Sequence, residues 1–326
     1  MRRFGKWLGR VILAFFVLFA GIWLLVPLET VDRKISFDAN SIGADLDTYL
    51  KADEQQFSDI TPGTEKRIIW AGVKGVKTPL AVIYLHGFSA TSEEIRPVPD
   101  QVAQALGANL LFTRLAGHGR GSAAMATATA GDWIEDMAQA MAIGRRLGER
   151  VVVIGTSTGG TLAAIAATDP QLSADMAGIV LVSPNFGLQA VTAKILDMPA
   201  ARYWGPIVAG KTISFVPAND GQAKYWTTSY PTLALFPMAA LVRQAQSLDY
   251  SAVKIPLLLF YAPKDQVVNP AKTLAALANW GGRPQIETRE MGPGDDAMSH
   301  VIAGEVLSPG QTTETVALIV AWAKGL

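Results

Sequence analysis

Two apolar patterns alternate along this chain. Unbroken runs such as Leu80-Ala81-Val82-Ile83-Tyr84-Leu85, Val151-Val152-Val153-Ile154, Gly178-Ile179-Val180-Leu181-Val182 and Ile255-Pro256-Leu257-Leu258-Leu259-Phe260-Tyr261 are separated by stretches with apolar residues every three or four positions. An unbroken run predicts a strand covered on both faces. The longer spacing predicts an amphipathic helix, as at Trp133, Met137, Ala140, Met141, Gly144 and Leu147, with Asp132 placed to cap it. Further strands are predicted over 66–72, 109–113 and 285–291, and further helices over 45–57, 95–106, 160–167, 270–278 and 312–324. Alternation of this kind predicts a mostly parallel sheet with right-handed crossovers and helices on both faces.

The alternation breaks between about 183 and 250. This stretch holds Tyr203, Trp204, Tyr225, Trp226, Tyr230 and Phe236, several prolines and helical pieces, and no convincing buried strand. It reads as an insertion lying over the sheet edge. The aromatic residues could line a site or form the insertion's own small core.

The N-terminus carries a third pattern. Residues 11–28 are uncharged and almost wholly apolar, preceded by Arg2, Arg3, Lys6 and Arg10 and followed by Glu29, Asp32, Arg33 and Lys34, which cancel. Length and charge asymmetry predict a transmembrane signal anchor, with 1–10 cytoplasmic and the rest of the chain extracytoplasmic, periplasmic in a bacterium. Trp7 and Trp23 are candidate interfacial anchors. The rival expectation is a cleaved signal peptide and a secreted domain, but pairs such as Leu18/Ala20 and Phe19/Gly21 fit a small-x-small cleavage site poorly. The chain then divides into 1–10, 11–28, a linker or extension over 29–64, the first part of an α/β core over 65–182, a lid over 183–250, and the second part of the core over 251–326.

Composition narrows the chemistry. The 326 residues are half apolar, which is enough for a large core, and 28 basic residues balance 28 acidic ones. With no basic block beyond the extreme N-terminus, nucleic acid is not an expected partner. The absence of cysteine excludes disulfides and thiolate metal sites. With only His86, His118 and His300, a histidine-rich metal site is not expected, and neither is a cofactor.

One motif carries chemistry. The run Val151 to Ile154 leads into Gly155-Thr156-Ser157-Thr158-Gly159, and a helical segment follows. A strand, a G-x-S-x-G turn and a helix make a nucleophile elbow, which strains the Ser and lifts its hydroxyl above the sheet. Gly155 and Gly159 keep side chains out of the close strand–helix packing. A Ser hydroxyl needs a base to take its proton, and an imidazole titrates in the right range. A buried carboxylate fixes the imidazole tautomer. Beyond strand ends in chain order come Ser157, Asp265 in Ala262-Pro263-Lys264-Asp265, and His300; Asp295 and Asp296 are rival acids. His86 and His118 read as structural. For the developing oxyanion the candidate donors are the backbone amides of Thr158 and of Phe88 in His86-Gly87-Phe88, with Gly87 allowing the turn.

These residues, with Arg114-Leu115-Ala116-Gly117-His118-Gly119, resemble the α/β-hydrolase superfamily over about 65–326. Within it they are most similar to serine hydrolases grouped with monoacylglycerol lipases, lysophospholipases and carboxylesterases bearing an H-G-F loop. The resemblance implies an eight-stranded, mostly parallel sheet and a lid between its sixth and seventh strands. It also implies an acyl-enzyme mechanism on a small-molecule ester or lipid-like substrate, with hydrophobic acyl groups favoured by an aromatic lid and a membrane location. The N-terminal anchor and Thr at both x positions of the elbow depart from that pattern. The rival readings are an amidase or aminopeptidase, which needs a lid carboxylate such as Asp220 or Asp249 for the substrate amine, and a catalytically silent membrane-tethered binding protein. Substrate, chain length and oligomeric state are left open by the sequence.

Overall fold

The computed structural model describes every residue except Met1, Pro27 and Arg283. The chain opens with α1 (Arg2–Leu25), which is long and apolar enough to cross a membrane and has no buried residue in its most apolar stretch, Arg3–Gly21. It begins before the predicted 11–28 span, and Pro27 of that span lies outside the described residues.

The stretch expected to be a linker is more than that. It contains α2 (Leu46–Glu54), capped by the Asp45 side chain, and it buries Ile42, Leu46 and Leu50 in the main core. The buried Glu54 carboxylate makes a two-point ion pair with Arg114, at 2.8 and 2.9 Å. The sequence reading missed this docking because Ile42, Leu46 and Leu50 are isolated apolar residues whose partners lie far along the chain.

The main sheet is built from β1 (Arg67–Ile69), β2 (Thr78–Leu85), β3 (Asn109–Phe112), β4 (Gly148–Thr156) and β5 (Met176–Val182), with α3 (Val98–Leu106), α4 (Ala130–Leu147), α5 (Thr158–Ala167) and the short α6 (Pro170–Ser173) between them. The insertion follows, with α7 (Ala201–Val208), β6 (Thr212–Ser214), α8 (Asp220–Tyr225), β7 (Ser229–Pro231) and α9 (Leu235–Ser247). The chain then returns through β8 (Leu257–Tyr261), α10 (Pro270–Leu277), β9 (Gln285–Thr288) and α11 (Pro309–Ala323). The sheet order is β1-β3-β2-β4-β5-β8-β9, parallel except for β1. It has seven strands among the described residues, where the resemblance implies eight, so the insertion falls between its fifth and sixth strands.

The unbroken apolar runs are explained by the two cores. Val151 and Val153 face one, with α4, α5 and α9 packed on it; Val152 and Ile154 face the other, under α3 and α11. Alternate side chains of one strand therefore need to be apolar on both faces. Two local expectations change. Asp132 is not the cap of α4: Thr129 is, and Asp132 bonds back to the Thr129 amide as the other half of a capping box. The insertion does hold strands, but β6 and β7 form only a short antiparallel ribbon in which Tyr230 is the buried residue.

Candidate active site

Ser157 sits between β4 and α5 with φ 49° and ψ −116°. A non-glycine residue in such a conformation is strained, and the surroundings must hold it there. They do so through backbone bonds. The Ser157 amide donates to Val182, and its carbonyl accepts from Thr161 and Asn185. A Cβ on Gly155 would stand 2.7 Å from the Gly159 carbonyl oxygen, and one on Gly159 would run into the carbonyls of Leu85 and His86 at the end of β2. The turn exists only because both positions lack side chains.

The Ser157 hydroxyl donates to Nε2 of His300 across 3.0 Å. Nδ1–H of His300 donates to Asp265 Oδ2 at 2.8 Å. The other Asp265 oxygen accepts the Val267 and Val268 amides, at 2.8 and 2.9 Å. All three residues are buried, with Ser157 only 6% exposed. Burial works against charge on His300, but attraction and hydrogen bonding from Asp265, helped by Glu94 and Asp296, hold its pKa above the ordinary histidine value. The rival acids have other partners. Asp296 accepts the His300 and Val301 amides and shapes the loop, while Asp295 accepts from Gly292, Gly310 and Gln311. Geometrically this set can draw a proton from Ser157 to His300 while Asp265 fixes the tautomer.

The loop after β2 lies directly against Ser157. A Cβ on Gly87 would be 3.1 Å from the Ser157 Cβ. His86 is wholly buried and bridges two loops: its Nδ1–H donates to the Gly87 carbonyl at 2.9 Å and its Nε2 accepts the Leu115 amide at 3.0 Å. His118 donates to the Ala116 carbonyl, and burial depresses its pKa to about 4. Burial likewise pushes the His86 pKa well down, so both rings are held neutral by their surroundings. Among the described residues, neither the Phe88 nor the Thr158 amide donates to a protein acceptor.

The insertion closes over this loop. The Thr227 amide donates to the Ser89 carbonyl at 2.7 Å, and Tyr230 meets the Phe88 ring edge-on at 5.3 Å. Phe88 and Tyr230 share an apolar cluster with Met125, Phe215 and Leu235. Trp204 and Phe236, in contrast, belong to the insertion's own small core, and Tyr203 is exposed. Tyr225 and Trp226 pack on the core under α3 and α11, so of the six aromatic residues named above only Tyr230 lies against the Phe88 loop.

One buried acid escaped the sequence reading. Glu94 lies beside Gly87 and accepts its amide at 2.7 Å. In Thr91-Ser92-Glu93-Glu94 it reads as part of a solvated turn, and only its position next to Ile95, which is buried, hints otherwise.

A parallel sheet with its strained Ser at a strand–helix turn, a His and an Asp delivered from later loops, and an insertion above them define an α/β-hydrolase. A sequence family described as serine aminopeptidase, S33, matches residues 77–290, and the chain belongs to that family. A thermostable monoacylglycerol lipase from Bacillus sp. (strain H-257) is 27% identical over 195 residues, 59% of this chain and 73% of that protein. The fold is similar to a structure reported with LipS and LipT, two metagenome-derived lipolytic enzymes (TM-score 0.67, 22% identity, covering 82% of this chain and 100% of that one). It is also similar to a soluble variant of monoglyceride lipase from Saccharomyces cerevisiae in complex with a substrate analog (TM-score 0.61, 11% identity, covering 80% and 90%). The chain is thus a hydrolase of this α/β-hydrolase family.

Proposed function

We propose that this chain is a membrane-tethered serine esterase that cleaves carboxylic esters of hydrophobic acyl groups. The observation that carries the reading is the hydrogen-bonded series Ser157, His300, Asp265, at 3.0 and 2.8 Å, with its Ser in a strained turn. In acylation, Ser157 Oγ attacks the ester carbonyl as His300 takes its proton. The oxyanion is held by the Phe88 and Thr158 amides. His300 then protonates the departing alcohol, and the acyl group stays on Ser157. In deacylation, water loses its proton to His300 and attacks the acyl-enzyme, and Ser157 recovers the proton as the acid leaves.

Ester rather than amide chemistry is supported by the likeness to a monoacylglycerol lipase and by the apolar cluster of Phe88, Tyr230, Phe215 and Leu235 beside the loop. The amine-holding carboxylate of the aminopeptidase reading finds no support: Asp220 is exposed at the start of α8, and Asp249 caps its own turn at Ser251.

Membrane tethering is supported by α1 and the charges around it. The segment after α1 is fastened to the insertion, with Arg202 pairing the Glu29 carboxylate at 2.6 Å and Arg243 donating to the Glu29 carbonyl at 2.7 Å. A groove there is lined by Leu28 and Glu29 together with Met198, Arg202 and Tyr203. Beside it α7 exposes Tyr203, Ile207 and Val208.

The test is hydrolysis of monoacylglycerols and p-nitrophenyl esters of graded chain length beside aminoacyl amides, with Ser157→Ala as control. Esters should be cleaved, and Ser157→Ala should lose both hydrolysis and labelling by a fluorophosphonate. Preferential cleavage of amides, or activity retained by Ser157→Ala, overturns the reading.

A further inference from the structure

The steps above leave Glu94 unused, although it is only 2% exposed and stands against both Gly87 and the nucleophile's turn. Its Oε2 accepts the Gly87 amide at 2.7 Å and the Tyr84 hydroxyl at 3.0 Å. Tyr84 in turn lies 3.2 Å from Oγ1 of Thr156, the residue before Ser157. One carboxylate therefore ties the loop carrying Phe88 to the strand end carrying Ser157. A Cβ at Gly87 would be 2.6 Å from Glu94 Oε1 and 3.1 Å from the Ser157 Cβ, so the acid and the nucleophile border the same small space.

The loop needs such a clamp. In a trans peptide the carbonyl and the following amide point opposite ways. His86 holds the Gly87 carbonyl, so the Phe88 N–H must point away from His86. That direction is fixed only if Gly87 cannot rotate, and glycine is the residue freest to do so. Glu94 holds the amide end of Gly87 as His86 holds its carbonyl end.

We propose that Glu94 is a positioning residue of this site: by accepting the Gly87 amide and the Tyr84 hydroxyl it fixes Gly87 so that the Phe88 amide faces the oxyanion. This rests on the esterase reading above. The titratable groups around Glu94 are Tyr84 on β2 and His300 on the loop after β9; the adjacent Glu93 is engaged by Arg67 and Arg96. Burial pushes the Glu94 pKa up to about 7, against the pull of the Gly87 amide, His300 and Tyr84.

The experiment is ester hydrolysis by the full-length protein, with kcat and KM followed against pH for wild type, Glu94→Ala, Glu94→Gln and Tyr84→Phe. Glu94→Ala should lose roughly 10²-fold in kcat with KM little changed, as for loss of an oxyanion donor. Glu94→Gln keeps an acceptor for Gly87 and should recover most of that loss. A loss in kcat at held KM that Glu94→Gln rescues is what positioning predicts, and a general loss of fold would not give it. Wild-type kcat in Glu94→Ala, a loss confined to KM, or no recovery in Glu94→Gln overturns the proposal. If Glu94→Ala does not fold, Tyr84→Phe, which removes one of the two donors, should lower kcat by less, and an unchanged kcat there counts against it. Failure of the esterase reading looks different: wild type itself would not hydrolyse esters, or Ser157→Ala would.

Discussion

A side-chain carbon on Gly87 would come within 3.1 Å of the Cβ of Ser157, tighter than nine in ten such contacts in folded proteins. The close approach brings the loop that carries Phe88 against the Ser157 turn. Gly87→Ala should therefore lower kcat by roughly 10²-fold, the cost of losing one oxyanion donor, and leave a folded protein. Steady-state kinetics beside a thermal melt check this. Near-normal kcat would mean that the loop tolerates the displacement.

His300 is held above its ordinary pKa by Asp265 against the effect of burial. Its neutral form is the base, so activity should appear only as pH rises through that raised value. The acid limb of kcat/KM should thus lie above the usual imidazole range of about 6.5. Asp265→Asn removes the attraction and should bring the limb down while lowering kcat by roughly 10³–10⁴-fold. A limb that stays in place would show that Asp265 does not set it.

Gly159→Ala is expected to cost more than activity. Its new Cβ would meet backbone carbonyls of Leu85 and His86, which cannot rotate aside as a side chain tip can. Overpacking of this kind costs about 1–3 kcal/mol or more, and denaturant melts should record it. An Ala variant as stable as wild type would contradict the elbow packing.

Glu94 also makes stability depend on pH. Folded, it keeps its proton up to about pH 7; its ordinary value is 4.5. Between those values the folded state holds a proton that the unfolded chain has released, so stability falls as pH rises through this window, by about 3 kcal/mol in all. Glu94→Gln should remove that part of the slope. Parallel stability–pH curves for the two proteins would refute it.

The Arg114–Glu54 pair fastens the 29–64 extension to the turn before His118. Glu54→Ala leaves a buried guanidinium without its partner and should destabilise the protein by about 3–5 kcal/mol. Chemical denaturation would measure it, and a loss under about 1 kcal/mol would place the pair among weak surface bridges.

The sequence by itself determined the parallel sheet, the elbow, and the order of Ser157, Asp265 and His300. Unbroken β-branched runs can be buried only between two helical layers, and a G-x-S-x-G after such a run has one compact way to turn. It also separated His300 from His86, since only His300 follows the last strand. What only tertiary structure decided were relations between segments distant in sequence. The strand-end position already favours Asp265; the structure adds what occupies its rivals, since Asp296 accepts the His300 and Val301 amides and Asp295 the Gly292 amide. The 29–64 stretch joins the core because Leu46, Leu50 and Glu54 find partners on α4 and at Arg114. Glu94 reads as a solvated charge until β2, the loop before α3 and the His300 loop close around it. Periodicity reports which face of an element is covered. It carries no record of which distant polar group will be brought to a buried one, and in this fold that pairing sets the surroundings of Gly87, Phe88 and Ser157.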